Sequence, residues 1–238
     1  MPLPKTVVVQ PQWVTAQTPS LWLTPSERDV YTAWASEERK SEWLAGRLAA
    51  KKLLREELGL PPLDWQVGRD GVAPAIIGRD LPNLALSLSH SAGMGAATLS
   101  DTRTEGSAGI DVQRVRPVHP GLCARVFTPE ERQQIAGQFG SEDSPDGMLL
   151  LWALKEAAIK ARRQVWGRPL QSISVRLGHP GFAEIDTEGE PVFPAQYERL
   201  GNWWLARAVR PVDESVSDQE TFREVALTSR DSSCGSRR

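Results

Sequence analysis

The chain is poor in cysteine, in long apolar runs and in net charge of either sign. Cys123 and Cys234 are the two cysteines among 238 residues, so neither a disulfide framework nor a zinc-ligand spacing exists. No apolar run approaches the roughly 20 residues of a membrane-spanning helix, and the opening MPLPKTVVVQPQ lacks a hydrophobic signal core. A net charge of −2 gives no overall basic field for nucleic acid or an anionic membrane. These absences predict a soluble cytoplasmic protein in which local clusters bind any anion.

Helix-start chemistry occurs twice, at Thr24-Pro-Ser-Glu and at Thr128-Pro-Glu-Glu, each with a capping residue, a proline and a glutamate three positions after the cap. A helical pattern, broken at most once, follows the first start over 25–58, and Gly59 ends it. A second long helix is predicted over 148–164. Alternating or turn-bounded apolar residues predict strands at 6–14, 64–71, 84–88, 93–100, 109–115, 172–177 and 202–209.

The two halves resemble each other. Besides the shared caps, WLAGRLAAK from Trp43 aligns with WALKEAAIK from Trp152, which would pair Lys51 with Lys160. Chance similarity between two alanine-rich helices is the alternative to duplication. We predict an α+β fold of two pseudo-twofold-related halves, each a small antiparallel sheet on a long helix, with a ligand cleft between them. The halves are assigned to 1–105 and 106–211, followed by a polar, disordered tail over 212–238.

A short strand, Gly109-Ile-Asp-Val-Gln, carries Asp111 and Gln113 on one face, so that both side-chain oxygens approach one ion. Magnesium takes hard oxygen ligands and completes its shell with phosphates and water. An exposed, functionless strand face is the alternative.

The helix that follows places Trp152, Glu156 and Lys160 on one face at intervals of four residues, with Lys155 beside them. The alternative is that Glu156 and Lys160 form an ordinary ion pair on the helix surface, worth about 0.3 kcal/mol.

Two further clusters suit an anion. Ser89-His90-Ser91 ends the strand that begins near 84, and its hydroxyls supply hydrogen-bond donors, although a hydrogen-bonded core histidine is also consistent. Arg39 and Arg47 lie near one line of the first long helix, where guanidinium groups can fork onto phosphate oxygens. A solvated basic face is the alternative there.

Together these elements resemble the Sfp-type 4′-phosphopantetheinyl transferases. That family shows Ser-His-Ser, then Gly-Ile-Asp-x-Glu, then Trp-x-x-Lys-Glu-x-x-x-Lys, in this order. Here they stand as Ser89-His-Ser, Gly109-Ile-Asp-Val-Gln and Trp152-Ala-Leu-Lys-Glu-Ala-Ala-Ile-Lys, preceded by a helix similar to the family's N-terminal segment.

The resemblance implies that coenzyme A binds between the halves. Its phosphopantetheine arm would pass to a serine of an apo carrier protein, releasing adenosine 3′,5′-bisphosphate, and the enzyme would act as a monomer. The near-neutral charge separately predicts no nucleic acid or membrane partner. The implied magnesium ligands are Asp111, Gln113 and Glu156. His90 with Ser89 would contact the 3′-phosphate, Arg39 and Arg47 the nucleotide phosphates, and Lys155 and Lys160 the diphosphate. Glu156, directly or through water, is the candidate base, and Lys160 would offset charge on the leaving phosphate.

Two departures from the family pattern stand out. Gln113 occupies a position where the family has glutamate, which predicts weaker metal binding or a water in place of that ligand. Ala73 stands where a basic residue often precedes the Ser-His strand, and Arg69 is the candidate substitute. These departures keep open a catalytically weak relative that binds coenzyme A or a carrier protein. A magnesium-dependent nucleotide hydrolase, using the same ligands, is the third reading.

Overall fold

The computed structural model describes residues 4–212, so most of the predicted tail, 213–238, lies outside the described residues. The N-terminal half contains β1 (Lys5–Val9), α1 (Thr18–Trp22), α2 (Pro25–Ala33), α3 (Glu37–Leu58), β2 (Gln66–Asp70), β3 (Ala73–Ile77), β4 (Leu84–Ser91) and β5 (Met94–Asp101). The C-terminal half contains β6 (Ser107–Arg114), α4 (Pro120–Val126), α5 (Pro129–Phe139), α6 (Pro145–Arg162), β7 (Ile173–Leu177), β8 (Phe182–Thr187), β9 (Phe193–Leu200) and β10 (Trp203–Arg210). Among the described residues, no helix is long and apolar enough to cross a membrane.

The predicted α+β fold of two halves is confirmed. Three strands in the order β1-β5-β4 face α3, and five strands in the order β6-β10-β9-β8-β7 face α6, with every neighbouring pair antiparallel. The β2–β3 hairpin forms a separate two-stranded sheet in the first half, whereas its counterpart β7–β8 joins the large sheet. The order of strands and helices along the chain is the same in both halves.

Both predicted helix starts form complete capping boxes. Thr24 accepts a hydrogen bond from the Glu27 backbone N–H and the Glu27 carboxylate accepts one from Thr24; Thr128 and Glu131 repeat the arrangement. The first helical segment breaks once, as the sequence allowed, because Ser36 caps a new helix at Glu37. The predicted strand over 6–14 ends earlier, since Pro11 begins a single turn of 3-10 helix.

From the helix starts to the long helices, the internal repeat runs at a separation of 104 positions, which corrects the helix alignment made from the tryptophans. Thr24 and Glu27 correspond to Thr128 and Glu131, and Lys51 corresponds to Lys155 rather than to Lys160. The equivalence rests on a buried ion pair in each half. The ammonium group of Lys51 lies 2.8 Å from Glu27, and that of Lys155 lies 2.7 Å from Glu131.

Each of these glutamates also fixes a strand. Glu27 accepts the backbone N–H of Val67 in β2, at 3.0 Å, and Glu131 accepts that of Val175 in β7, at 2.8 Å. One carboxylate in each half therefore links a helix start, the long helix and the first strand of the following hairpin. Each carboxylate is almost wholly buried and its oxygens accept hydrogen bonds from the protein. Each Glu–Lys pair therefore holds these elements together and is not placed to bind a ligand.

The two halves meet along β4 and β6, which belong to separate sheets. Alternate serine hydroxyls of β4 accept backbone N–H groups of β6: Ser87 from Ile110, Ser89 from Val112 and Ser91 from Arg114. These three hydrogen bonds of 3.1–3.2 Å make β4 and β6 run side by side in the same direction. Since β6 carries Asp111, the serine ladder sets the position of that carboxylate relative to β4.

Candidate active site

A cleft of about 360 Å³ lies where the two halves meet. Its walls come from α3, the β2–β3 hairpin, the end of β4, β6 and α6. The charged and polar side chains that line it are Arg47, Arg69, Ser87, Ser89, His90, Asp111, Gln113 and Lys160. Three cationic side chains and a histidine face a single carboxylate there, so the cleft is suited to a polyanion.

Asp111 is the most constrained of these side chains. Its carboxylate is 2% exposed and accepts hydrogen bonds from Ser89 at 2.7 Å, from the Gln113 amide at 2.9 Å and from Lys160 at 2.6 Å. The alternative of an exposed strand face is therefore wrong. Three hydrogen-bond donors, of which Lys160 is charged, offset the cost of burying this carboxylate.

A glycine in β6 makes this arrangement possible. A side chain at Gly109 would overlap the backbone of α6 at Ala157 and Ala161, so the strand lies directly on the helix. That close approach brings Asp111 to the helix face that carries Glu156 and Lys160. The glycine of the Gly-Ile-Asp motif is thus a packing requirement.

Glu156 lies one helical turn before Lys160 on α6, and its environment indicates a second carboxylate beside Asp111. Burial raises the pKa of Glu156, repulsion from the Asp111 carboxylate raises it further, and Lys160 opposes the shift. Two carboxylates that destabilise each other's charge favour a bound cation or a shared proton. Glu156 is not among the residues that line the cleft, whereas Lys160 is.

His90 packs against α3 where that helix has a glycine. A Cβ atom at Gly46 would lie 3.2 Å from Cδ2 of the His90 ring, so only glycine leaves the ring its present position. The imidazole is 39% exposed, which excludes the core-histidine alternative. Burial lowers the pKa of His90, and the Glu42 carboxylate, 3.9 Å from Nδ1, opposes this shift.

The predicted arginines divide into two groups. Arg47 and Arg69 both line the cleft, and Arg47 stacks 4.6 Å from the centre of the Trp43 ring. Arg39 is exposed, lies 5.8 Å from the Trp34 ring and is not among the cleft residues. Its predicted phosphate contact stays a prediction, since an exposed side chain on the first turn of α3 neither lines the cleft nor is paired away from it.

Lys155 requires the clearest correction. Its side chain is 0% exposed, and its ammonium group donates to the carbonyl oxygens of Val126 and Leu170 and to Glu131. Three acceptors occupy the three donors, so none is left for a diphosphate. Lys155 points into the core of the C-terminal half and stabilises it.

Ser89 lines the cleft, but its hydroxyl hydrogen is donated to Asp111 and its oxygen accepts the Val112 N–H. The predicted contact of Ser89 with a phosphate is therefore corrected to a role in holding the carboxylate. The sequence contained a signal for this role, the alternation Ser87-x-Ser89-x-Ser91, but nothing in it identified the β6 partner.

A second cavity of about 450 Å³ adjoins the cleft at Gln113. Its wall is mostly apolar, with Arg116 and His119 as the charged or titratable members; the remaining lining residues are Gln113, Pro117, Val118, Leu122, Leu149 and Trp152. Along α6, Trp152 faces this cavity and Lys160 faces the cleft, one turn either side of Glu156. Successive turns of α6 therefore present the apolar Trp152, the Glu156 carboxylate and the Lys160 ammonium group in a row.

The donor set fits a magnesium ion. Within residues 4–212, no group of three or more His, Cys, Asp or Glu side chains could by itself hold a metal ion, so any metal here would have fewer such ligands. Magnesium usually takes one or two protein carboxylates and fills its remaining positions with phosphate oxygens and water. Asp111, Glu156 and the amide oxygen of Gln113 provide such a set, and a divalent cation would relieve the repulsion that raises the pKa of Glu156.

The fold and the cleft define a two-lobed α+β protein with a seam lined by cationic side chains and a carboxylate pair beside it. Residues 107–208 match the 4′-phosphopantetheinyl transferase superfamily. Similar curated proteins are the 4′-phosphopantetheinyl transferases ffp and Sfp of Bacillus subtilis and psf-1 of Bacillus pumilus. The identities are 24%, 24% and 25%, over 74%, 69% and 60% of this chain and 77%, 71% and 58% of those proteins. The matched residues are less than half of the chain, which is similar to 4′-phosphopantetheinyl transferases such as Sfp.

Among solved structures, a holo-(acyl-carrier-protein) synthase from Bacillus anthracis in complex with coenzyme A aligns over 40% of this chain and 90% of its own. The identity is 25% and the TM-score is 0.35.

Proposed function

We propose that this protein transfers the 4′-phosphopantetheine arm of coenzyme A to a serine hydroxyl of an apo carrier protein, with magnesium, and releases adenosine 3′,5′-bisphosphate. The observation that carries the proposal is the meeting of Asp111, Lys160, Arg47 and His90 around one cleft at the seam between the halves. Coenzyme A carries a diphosphate and a 3′-phosphate. Lys160 would face the diphosphate, and His90 with the arginines of the N-terminal half would face the phosphates of the nucleotide end.

The nucleotide end would lie against the N-terminal half. Arg47 and Arg69 face the cleft together. Burial is the main cause of the lowered pKa of Arg47, and repulsion from Arg69 lowers that pKa further. An anion placed between them would remove that repulsion. We assign these two arginines to the nucleotide phosphates and His90 to the 3′-phosphate.

The diphosphate would lie at β6 and α6. Asp111, Gln113 and Glu156 would hold magnesium, and the bound ion would supply positive charge against the diphosphate oxygens. Lys160, already 2.6 Å from Asp111, would neutralise charge on the leaving phosphate as the bond breaks. Gln113 is a neutral ligand, so the site holds one negative charge fewer than the family pattern predicts.

Glu156 would act as the general base. As the serine oxygen attacks the phosphorus that carries pantetheine, its proton passes to Glu156, and the phosphorus–oxygen bond to the other phosphate breaks. The leaving group departs as adenosine 3′,5′-bisphosphate. The position of Glu156 supports this role, because it lies on α6 between Trp152 at the second cavity and Lys160 at the cleft, and a carboxylate there is placed to take the serine proton.

The carrier would approach over the second cavity. Its apolar wall contacts Trp152 and Leu122, and it adjoins Gln113 beside the reacting phosphate. Arg116 and His119 at this cavity would favour an acidic segment beside the acceptor serine. We therefore expect the apolar docking patch of the carrier to cover this surface.

The test is a mass-shift assay with coenzyme A, magnesium and apo carriers from fatty-acid, polyketide and peptide synthesis. One phosphopantetheine added to a carrier supports the proposal, and no shift on any of them contradicts it. The departures Gln113 and Ala73 favour a second candidate, a binding protein without turnover. Tight coenzyme A binding with no transfer and little dependence on magnesium would support that alternative, whereas cleavage of coenzyme A without a carrier would indicate a hydrolase.

A further inference from the structure

Glu42 lies on α3 beside the cleft without lining it. One carboxylate oxygen accepts the backbone N–H of Ala92 at 2.9 Å, and the other lies 3.9 Å from Nδ1 of His90. This single side chain therefore contacts both the β4–β5 turn and the imidazole that ends β4.

The turn that Glu42 holds is an unfavourable one. Ala92 and Gly93 connect β4 to β5 with φ angles of 48° and 80°, in the left-handed region. Residues with side chains rarely adopt this conformation, so Ala92 depends on its surroundings. The hydrogen bond from Ala92 to Glu42 is one such constraint, and it lies two residues from His90.

The imidazole of His90 is held on two edges. Its Nδ1 faces Glu42, and its Cδ2 faces the bare backbone at Gly46, one helical turn further along α3. The edge left for the cleft carries Cε1 and Nε2. The nearby Glu42 carboxylate favours a proton on Nδ1, so Nε2 is the ring nitrogen left to face an anion in the cleft, and it donates to that anion when the ring is protonated.

We infer that Glu42 is a positioning residue that orients His90 toward the cleft and thereby makes the site select a ligand with a phosphomonoester at this position over the same ligand with a hydroxyl. The inference rests on the proposed function, since coenzyme A and 3′-dephospho-coenzyme A differ by that one group. Glu42 acts through His90 and does not touch the ligand.

Charge supports the geometry. The groups whose fields reach His90 are Glu42 and Asp111, which favour the imidazolium, and Lys160 and Arg47, which oppose it. Burial lowers the pKa of His90, and Glu42 is the largest of the opposing influences. Removing Glu42 would leave the ring less often charged as well as less firmly oriented.

The experiment measures calorimetric affinities of coenzyme A and 3′-dephospho-coenzyme A for the full chain and for Glu42→Ala. We expect coenzyme A to bind about tenfold more weakly to the variant, the loss typical of one charged hydrogen bond, and dephospho-coenzyme A to bind unchanged. Glu38→Ala removes an exposed carboxylate from the same helix and should leave both affinities unchanged. Equal losses for both ligands, or no loss for either, would overturn the inference.

Two further variants separate positioning of His90 from support of the turn. Adding Ala92→Gly to Glu42→Ala relieves the strain of the left-handed turn but does not restore the contact with His90. If this double variant fully recovers coenzyme A affinity, Glu42 acts only by supporting the turn, and the inference is overturned. In a His90→Ala background, Glu42→Ala should have no further effect on coenzyme A affinity, and a full additional loss would also overturn it.

A measurement without ligand keeps this test separate from the proposed function. The His90 imidazole titration, followed by NMR, should move to lower pH in Glu42→Ala and stay in place in Glu38→Ala. An unchanged titration would overturn the inference even if coenzyme A binds normally. A wild-type protein that binds neither ligand would contradict the proposed function, and the titration would still decide whether Glu42 and His90 interact.

Discussion

Replacing Lys155 with methionine tests whether this lysine stabilises the fold or binds phosphate. The change removes three hydrogen bonds from the ammonium group and leaves Glu131, which is 1% exposed, without its counter-charge. Breaking a buried pair by removing one partner costs about 3–5 kcal/mol, because the remaining charge is desolvated and unpaired. In a chain of this size that loss lowers Tm by roughly 10 °C.

Chemical denaturation and calorimetry measure the loss, and the internal repeat supplies the control. Lys51→Met breaks the equivalent pair with Glu27 in the other half, where no ligand role was predicted, and we expect a similar loss of stability. Lys40→Met removes an exposed ion pair with Glu37, which should cost about 1 kcal/mol or less.

Coenzyme A affinity decides between the two roles. At a temperature where Lys155→Met remains folded, its affinity for coenzyme A should stay within about twofold of wild type, because the lysine does not reach the cleft. A variant with wild-type stability and strongly reduced affinity would refute this reasoning and restore the phosphate contact.

Three further outcomes are expected. Gly109→Ala should destabilise the protein by about 3 kcal/mol or more, since its Cβ overlaps α6, whereas Gly137→Ala, with open space around it in a helix, should stabilise by up to about 1 kcal/mol in thermal unfolding. Glu156→Gln should reduce carrier labelling at least about 100-fold. The pKa of Glu156 is raised in the folded protein, so its ionised form destabilises the fold once the pH exceeds the pKa of the unfolded chain. The variant should therefore have a higher Tm than wild type at neutral pH and the same Tm at a pH below the unfolded pKa. Gln113→Glu should lower the magnesium concentration needed for half-maximal labelling by about tenfold, and an unchanged requirement would indicate that position 113 is not a ligand.

Local patterns in the sequence were sufficient for several elements. The caps at Thr24 and Thr128 predicted both helix starts, because a capping box needs only residues within one turn. Alternation in the Gly109 strand placed Asp111 and Gln113 on one side. The similarity of the two halves was also visible in the sequence, but the predicted alignment of their long helices was wrong. The tryptophans paired Lys51 with Lys160, whereas the buried ion pairs show that Lys51 corresponds to Lys155.

Lys155 shows the limit of such patterns. It adjoins Glu156 in a motif, yet successive residues on a helix point about 100° apart, and only the packing of α6 decides which direction is the core. Glu42 and the serine ladder were missed for a related reason. Their partners, Ala92, His90 and β6, lie 22 or more residues away in the chain.

The sequence by itself determined the helix starts, the strand carrying Asp111, the two-half organisation and the resemblance to the transferases, all of which depend on residues near one another or on motif order. Tertiary structure alone decided which charged groups meet. It turned Lys155 and Ser89 inward and placed Glu42 beside His90, because the free energy of a charge depends on burial and on partners brought together from distant parts of the chain.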